Sequence, residues 1–506
     1  MATGFLITNL TGALKRINEV VNKHVLKTLY IQIYTKQLQS SGNVHQGISN
    51  KIFDVYSSTS KMYPNLDVRI ILHELKKGIH KKKGAKFNYD VDIIILPKSY
   101  QSPEIASLIK TKKNLAVMIL EDYEETEDDK NDPDLKIYEN VVLGGTFDRL
   151  HAGHKILLSQ ALLQCSKRLT VGVTDINMIR TKILWELIEP CEKRIEKVKT
   201  FIHEVDNTVQ CHVVAISDMY GPTKSDECLN MLVVSAETEK SGHKVNEYRK
   251  EHGLNELDLC TISIADEGTV RHEEETKISS SNIRRRLLGT RLREPQKKPG
   301  LADRPYIIGL TGGICSGKSN IGQYLKSLGA GLVDCDKVGH DLYKSGSPAF
   351  SEIVAEFGVE VVGKDKEIDR KKLGEIVFSD PTKLQKLNGI MWPKIINSAL
   401  DECNRLHRET KVEIVVIEAA VLLRAHWEKY VHEVWTAIIS PEEAVMRLMK
   451  RNNLNEDQAR ARIQSQPTNT EQIAIANVVF CSQWSNEYTQ KQVERAWTTL
   501  NESLKA

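Results

Sequence analysis

Apolar residues along this chain come in short runs separated by polar stretches, and the runs collect into three groups. In the first, the runs Leu66–Leu72, Val91–Leu96 and Leu115–Leu120 have the length of buried strands and predict a small α/β unit. Ahead of them, Leu10, Leu14, Ile17, Val21, Val25 and Leu29 recur at helical spacing and predict an amphipathic helix. This group closes on Glu121–Asp134 (EDYEETEDDKNDPD), an acidic, proline-containing run that repels itself and reads as a linker. In the second group, strand-like runs at Asn140–Leu143, Leu169–Val173, Cys211–Ile216, Met231–Ser235 and Leu259–Ile264 alternate with helical patterns at His154–Gln164, Glu192–His203 and Glu239–Glu251. That alternation predicts an open parallel sheet with ligands at the carboxyl ends of its strands. Arg293–Arg304 has no apolar period and reads as a spacer. The third group opens near residue 304 with a strand, a glycine loop and a helix. The expected layout is an N-terminal α/β domain with its linker over 1–138, a second domain over 139–290 and a third over 304–506, with no internal repeat linking them.

Composition sharpens this picture mainly by exclusion. A chain of 506 residues suggests about three domains at roughly 150 residues each. A net charge of +3, from 70 basic and 67 acidic residues, gives no global pull toward nucleic acid. Nine cysteines without a C-x-x-C pair argue for reduced thiols and an intracellular, cytoplasmic address. No apolar run is long enough to span a bilayer; Ile414–Leu423 is interrupted by Glu418 and reads as a buried strand and its exit. Up to Phe53 the only acid is Glu19, so residues 1–30 read either as a helix packed on the following unit or as a mitochondrial presequence or membrane-surface contact, with Arg16 the sole arginine there.

Two stretches carry chemistry. Ile308–Asn320 reads IGLTGGICSGKSN: Gly312, four residues, then Gly317-Lys318-Ser319, directly after an apolar strand-like run. This is a phosphate loop. Backbone N–H groups from Gly312, Gly313, Cys315, Ser316, Gly317 and Asn320 are expected around the phosphates of ATP, with Lys318 on the outer phosphates and the Ser319 hydroxyl on Mg²⁺. Cys315 is either a thiol activated by the surrounding positive field or a small residue filling a variable position. No guanine-recognition signature follows, which argues against a GTPase, and Asp336, eighteen residues past Lys318, suits a base that takes a ribose hydroxyl proton. The second stretch, Val141–His154, reads VVLGGTFDRLHAGH and sets His151 and His154 three apart at a probable helix start after a strand and a Gly-Gly turn. Lys277–Arg286 (KISSSNIRRR) opens a later helix, with Ser281 or Ser280 as its cap.

GGTFDRLHAGH together with the serine–arginine segment resembles the nucleotidyltransferase superfamily. DMYGPT (Asp218–Thr223), VVSAET (Val233–Thr238) and VNEYR (Val245–Arg249) narrow the likeness to the eukaryotic type of phosphopantetheine adenylyltransferase, over about Asn140 to Gly289. The resemblance implies that Thr146 orients the attacking phosphate of 4'-phosphopantetheine and His154 holds the α-phosphate of ATP. It further implies that His151 flanks the nucleotide, that Lys182 binds substrate phosphate, and that Ser279, Ser280, Ser281 and Arg284 serve the outgoing pyrophosphate. A cytidylyltransferase is the other reading of the same motif.

From about Tyr306 to Lys505 the chain resembles dephospho-CoA kinase, in Val333–His340 (VDCDKVGH), in Ile368–Leu373 (IDRKKL) and in the lid-like Arg447-x-x-x-Arg451 with Gln458–Gln466. This implies Asp369 and Arg370 on the substrate side, Arg451 on ATP, and Arg447 and Arg462 as further clamps. The sequence departs from that family at Trp392-Pro393, at Glu418 and at Arg424. The expected fold class is therefore α/β, with a Rossmann-like nucleotidyltransferase sheet followed by a P-loop kinase sheet after the N-terminal α/β domain. Their order resembles the animal bifunctional coenzyme A synthase family, which implies conversion of 4'-phosphopantetheine through dephospho-CoA to CoA with ATP and Mg²⁺. The competing expectation is a nucleotide-sensing scaffold with one inactive half. Since both motifs follow Glu139, a chain starting near Lys136 is expected to keep both activities.

Overall fold

The computed structural model describes residues 2–9, 12–21, 23–24, 26–34, 46–76, 89–100, 115–122, 134–268 and 273–505. Most of the acidic linker, and Leu10 and Val25 of the N-terminal pattern, lie outside the described residues. Two compact units emerge, Met1–Ile283 and Arg284–Ala506.

The first unit contains two five-stranded parallel sheets. One runs β3–β2–β1–β4–β5, built from β1 (Ala2–Asn9), β2 (Leu26–Tyr34), β3 (Asp67–Ile71), β4 (Ile93–Pro97) and β5 (Ala116–Leu120). The other runs β8–β7–β6–β9–β10, built from β6 (Tyr138–Gly145), β7 (Cys165–Thr174), β8 (Gln210–Ile216), β9 (Met231–Ser235) and β10 (Asp258–Ile262). The winding is the same in both: two strands to one side of the first, then two to the other. Continuous apolar stretches explain the central strands, since Phe5, Leu6 and Ile7 in β1 and Val141, Val142 and Leu143 in β6 are buried on both faces.

The N-terminal helix pattern is only partly realised. Helix α1 spans Ala13–Val21, and Leu29 belongs to β2, where the β-branched and aromatic run Thr28-Leu29-Tyr30-Ile31-Gln32-Ile33 favours a strand. Ala13, Ile17 and Val20 are buried in the core, so this face of α1 is covered by protein.

The two sheets of this unit share one core, which runs from Leu6, Ile31 and Val68 to Leu143, Val171 and Val213. Polar contacts reinforce it. Lys76 Nζ donates to the carbonyls of Leu162 (2.9 Å) and Cys165 (2.7 Å) and pairs with Asp206 at 2.6 Å, both side chains fully buried. Tyr89 Oη donates to the Glu204 carbonyl at 2.6 Å, and the Leu72 amide to that of Val205 at 2.8 Å. Removing one member of a buried ion pair costs about 3–5 kcal/mol, because the other charge stays behind unpaired. A chain starting near Lys136 would expose this core and orphan Asp206, which weighs against the expectation that it keeps both activities.

The second unit holds the sheet β12–β13–β11–β14–β15, from β11 (Tyr306–Gly312), β12 (Gly331–Asp334), β13 (Ile414–Glu418), β14 (Glu433–Ile438) and β15 (Val478–Cys481), all parallel. Ile308 and Leu310 face one apolar cluster, and Ile307 faces another that includes Trp427 and the half-buried Trp392. Residues expected as a spacer are tethered to this unit. Arg293 Nη1 donates to the Ala476 carbonyl (2.8 Å), and Lys298 Nζ to those of Glu428 (2.7 Å) and Val431 (2.5 Å). No described helix is long and apolar enough to cross a membrane, and all nine cysteines are free thiols.

Candidate active sites

The first site grows from the carboxyl end of β6, where the chain turns off the sheet between β7 on one side and β9 on the other. That is the switch point at which an open α/β sheet leaves a crevice. Gly144 and Gly145 end the strand, and the next turn holds Phe147 (φ +49°) and Arg149 (φ +47°) in the left-handed region. Such residues persist only where their surroundings over-determine them. Here Asp148, fully buried, accepts from Arg149 Nη1 (3.0 Å) and from the Glu189 amide (3.1 Å). The buried Arg194 guanidinium donates to the carbonyls of Thr146 (2.6 Å), Thr174 (2.8 Å) and Glu189 (2.8 Å). Neither Asp148 nor Arg194 was singled out in the sequence; their partners lie up to 132 residues away, Ser280 Oγ donating to the Asp148 carbonyl.

This turn delivers His151 as the N-cap of helix α2 (Ala152–Leu163). The two imidazoles stack at 3.8 Å between centroids, with Phe147 at 5.2 Å from the His154 ring. A side chain at Gly153 would put its Cβ 3.2 Å from the His151 ring, so glycine is what lets the rings stack. The His151 amide donates to His154 Nδ1 at 3.5 Å, which leaves the His154 proton on Nε2 as an outward donor. Burial, then His151, then Lys182 keep the His154 pKa well below the ordinary 6.5. The fold thus opposes protonation of His154, and stability from the neutral ring is present above pH 6.5 and lost as pH falls from there toward the folded pKa. An NMR titration of the His154 ring is expected to give a midpoint below 6.5; a midpoint at or above it contradicts this environment.

Of the residues expected here, the structure brings together His151, His154 and Ser280, whose Oγ lies 3.3 Å from His151 Nε2. Thr146 Oγ1 meets Thr174 Oγ1 at 3.3 Å, and Lys182, though exposed, is close enough to influence His154. The cap of helix α3 (Ser280–Leu287) is Ser279, not Ser280 or Ser281: its Oγ accepts the Asn282 amide at 3.2 Å. Ser281 sits in the first turn, and Arg284, one turn further along, is buried at the start of the second unit.

The second site grows from the end of β11. At Gly312 a Cβ would lie 2.5 Å from the Ala437 carbonyl and 2.6 Å from Ser316 Oγ, so only glycine fits. Cys315 (φ +60°) and Gly317 (φ +80°) take left-handed backbone, and helix α4 (Lys318–Ser327) follows. Ser316 Oγ is buried without a protein partner, an orphan donor inside the loop. Lys318 Nζ pairs with Glu418 Oε1 at 2.8 Å, and Ser319 Oγ donates to the same oxygen at 2.5 Å. Glu418, nearly buried, closes β13 beside β11; the sequence marks it as a break in an apolar run and a departure from the family, and in the fold it is the carboxylate shared by Lys318 and Ser319. Asp334 pairs in register with Glu418, and its side chain caps helix α5 (Cys335–Asp341) by accepting the Asp336 amide at 3.0 Å. Asp336 consequently emerges exposed on the same sheet edge as Glu418. Asn320 is exposed one turn into α4, and Gly313 lies 3.6 Å, measured from an added Cβ, from Gln466 Oε1, which accepts the Ile314 amide at 2.8 Å.

Several expectations about this site change. The Cys315 side chain packs, half-buried, against Val445, Leu448 and Ala459. Arg447 braces the loop from behind, donating to Ser482 Oγ (3.1 Å) and Ser482 O (2.8 Å), while Ser482 Oγ donates to the Ser316 carbonyl (2.8 Å). Arg451 is exposed with Nε on Asn452 Oδ1 at 2.8 Å, and Arg462 is exposed. Asp369 caps helix α6 (Arg370–Phe378) through the Lys371 amide at 3.0 Å, and the Arg370 guanidinium lies over the Tyr343 ring at 5.8 Å. Arg424 lines a cavity of about 50 Å³ beside Gly312 and Gly313. Trp392 packs, half-buried, against the apolar cluster that includes Trp427.

Two phosphate-binding crevices at the carboxyl edges of parallel sheets define a nucleotide-dependent transferase of α/β class. Residues 306–487 match the dephospho-CoA kinase family model, and residues 142–286 match the cytidylyltransferase-like model. The chain is 36% identical over 187 residues to the dephospho-CoA kinase of Carboxydothermus hydrogenoformans, covering 37% of this chain and 90% of that protein. It is 38% identical over 199 residues to the enzyme of Moorella thermoacetica (39% and 94%) and 41% over 175 residues to that of Dehalococcoides mccartyi (34% and 87%). Through its second unit the chain belongs to the dephospho-CoA kinase family. A cytidylyltransferase-like domain followed by such a kinase fits a bifunctional coenzyme A synthase.

Proposed function

We propose that this protein makes coenzyme A from 4'-phosphopantetheine in two ATP-dependent steps. In the first, a phosphate oxygen of 4'-phosphopantetheine attacks the α-phosphorus of ATP, forming the new P–O–P bond of dephospho-CoA as pyrophosphate leaves. No covalent enzyme intermediate is needed, so the residues contribute position and charge. His154 presents its Nε2–H to the α-phosphate, and the stacked His151 with Ser280 closes the nucleotide side. Thr146 and Lys182 receive the attacking phosphate.

In the second step the ribose 3'-hydroxyl of dephospho-CoA attacks the γ-phosphorus of a second ATP, and Asp336 takes the hydroxyl proton. Lys318 neutralises the outer phosphates. The hard oxygens of Ser319 and Glu418, converging on one point, suit Mg²⁺, which supplies charge neutralisation across the phosphates when bound. The observation that carries this reading is the coexistence, in one chain, of the stacked His151–His154 pair under Ser280 and the Lys318–Glu418–Ser319 cluster.

The test combines purified protein, 4'-phosphopantetheine, ATP and Mg²⁺, with products read by mass. Dephospho-CoA followed by CoA is expected. ATP binding without product would favour the scaffold, and incorporation of CMP over AMP from mixed nucleotides would favour a cytidylyltransferase.

A further inference from the structure

Lys155 follows His154 directly on α2, yet its side chain leaves the site altogether. It is buried, its ammonium donating to the Val68 carbonyl at 2.9 Å and to Asp67 Oδ1. Both acceptors lie in β3, on the first sheet. Asp67 is itself held: its Oδ2 accepts Arg69 Nε (3.0 Å) and Nη2 (2.8 Å). At the other end of α2, Lys76, also from the first sheet's side, donates to the carbonyls of Leu162 and Cys165, where a cation complements the end of the helix dipole. The helix carrying His154 is thus gripped at both ends by residues that precede the Val141–His154 stretch by 65 residues or more.

We propose that Asp67 is a positioning residue for adenylyl transfer: by holding Lys155 it fixes the first turn of α2, and with it the direction of the His154 Nε2–H. The N-terminal sheet is then a working part of the first step. This rests on reading the His151–His154 site as an adenylyltransferase. Physical reasoning favours an effect on turnover over one on binding. A buried Lys155 without its carboxylate must find another acceptor, and adjacent residues on a helix move as one body. Misplacement of a reacting-group partner by about 1 Å costs on the order of 10²-fold in rate, whereas ATP and acceptor are bound by many other contacts.

Asp67→Asn in the full chain is expected to lower kcat for dephospho-CoA formation about 10- to 100-fold, with the KM for ATP and for 4'-phosphopantetheine unchanged. Phosphorylation of added dephospho-CoA by the same preparation should stay at the parent rate. Asp67→Glu, which keeps the charge, should recover much of the loss. If Asp67→Asn does not fold, Lys155→Met removes the same link together with its buried charge and should show the same fall in kcat. Parental kcat in whichever variant folds, or a rise in KM at unchanged kcat, overturns the positioning role alone. A parent protein that forms no dephospho-CoA overturns the adenylyltransferase reading and this inference with it.

Discussion

Lys318→Ala is expected to stop CoA formation and let dephospho-CoA accumulate. Two losses combine. The outer phosphates lose a cation, which for a single stabilising group in a preorganised site costs on the order of 10²–10³-fold in rate. Glu418, paired with Lys318 at 2.8 Å and nearly buried, is then left facing those phosphates with its own negative charge. The variant should therefore fall at or beyond the upper end of that range. Dephospho-CoA production should continue at the parental rate, because Thr146, His151, His154, Lys182 and Ser280 all lie within the first unit. Time courses of both products by mass decide the matter: a simultaneous loss of the first step would mean that the two sites are not independent.

The mirror experiment is His154→Ala. The ring stacks on His151, sits against Phe147 and directs Nε2–H outward, so its removal takes away both the donor to the α-phosphate and the stacking partner that orients His151. Dephospho-CoA formation should fall on the order of 10²–10³-fold, while added dephospho-CoA is still converted to CoA. His154→Gln, which keeps an N–H donor without the stacked ring, should lose less. Should His154→Ala form dephospho-CoA within a few-fold of the parent, the histidine pair has been misassigned.

Both candidate loops could be read in the sequence because each is local. Glycines, a lysine and two histidines at fixed spacing after an apolar strand imply a backbone shape whatever surrounds them. β9 and the helix over Glu239–Glu251 begin and end where the apolar pattern puts them. What holds the loops in place was hidden, because it is long-range. Lys318 and Glu418 are 100 residues apart, Lys155 and Asp67 are 88, and Arg447 reaches back 132 to the Cys315 carbonyl. A lone buried lysine or arginine has no spacing to betray it. The N-terminal misreading has another cause. Apolar positions every three or four residues also occur where a short helix and a strand abut, and Leu29 fitted the helical pattern while its neighbours Tyr30, Ile31 and Ile33 formed a strand.

The buried Lys76–Asp206 pair spans 130 residues of chain. At about 5–20 residues per second of synthesis, Lys76 leaves the ribosome roughly 6 to 26 seconds before its counter-ion. Once β5 (Ala116–Leu120) has emerged, the first sheet has its strands but not the shared core, and its apolar face is open to other chains. Newly made protein should depend on chaperones in that window, and a pause placed between codons 76 and 206 should lower the soluble yield more than one placed after residue 283. The architecture that steadies the first active site thus sets a timing condition on birth at the ribosome.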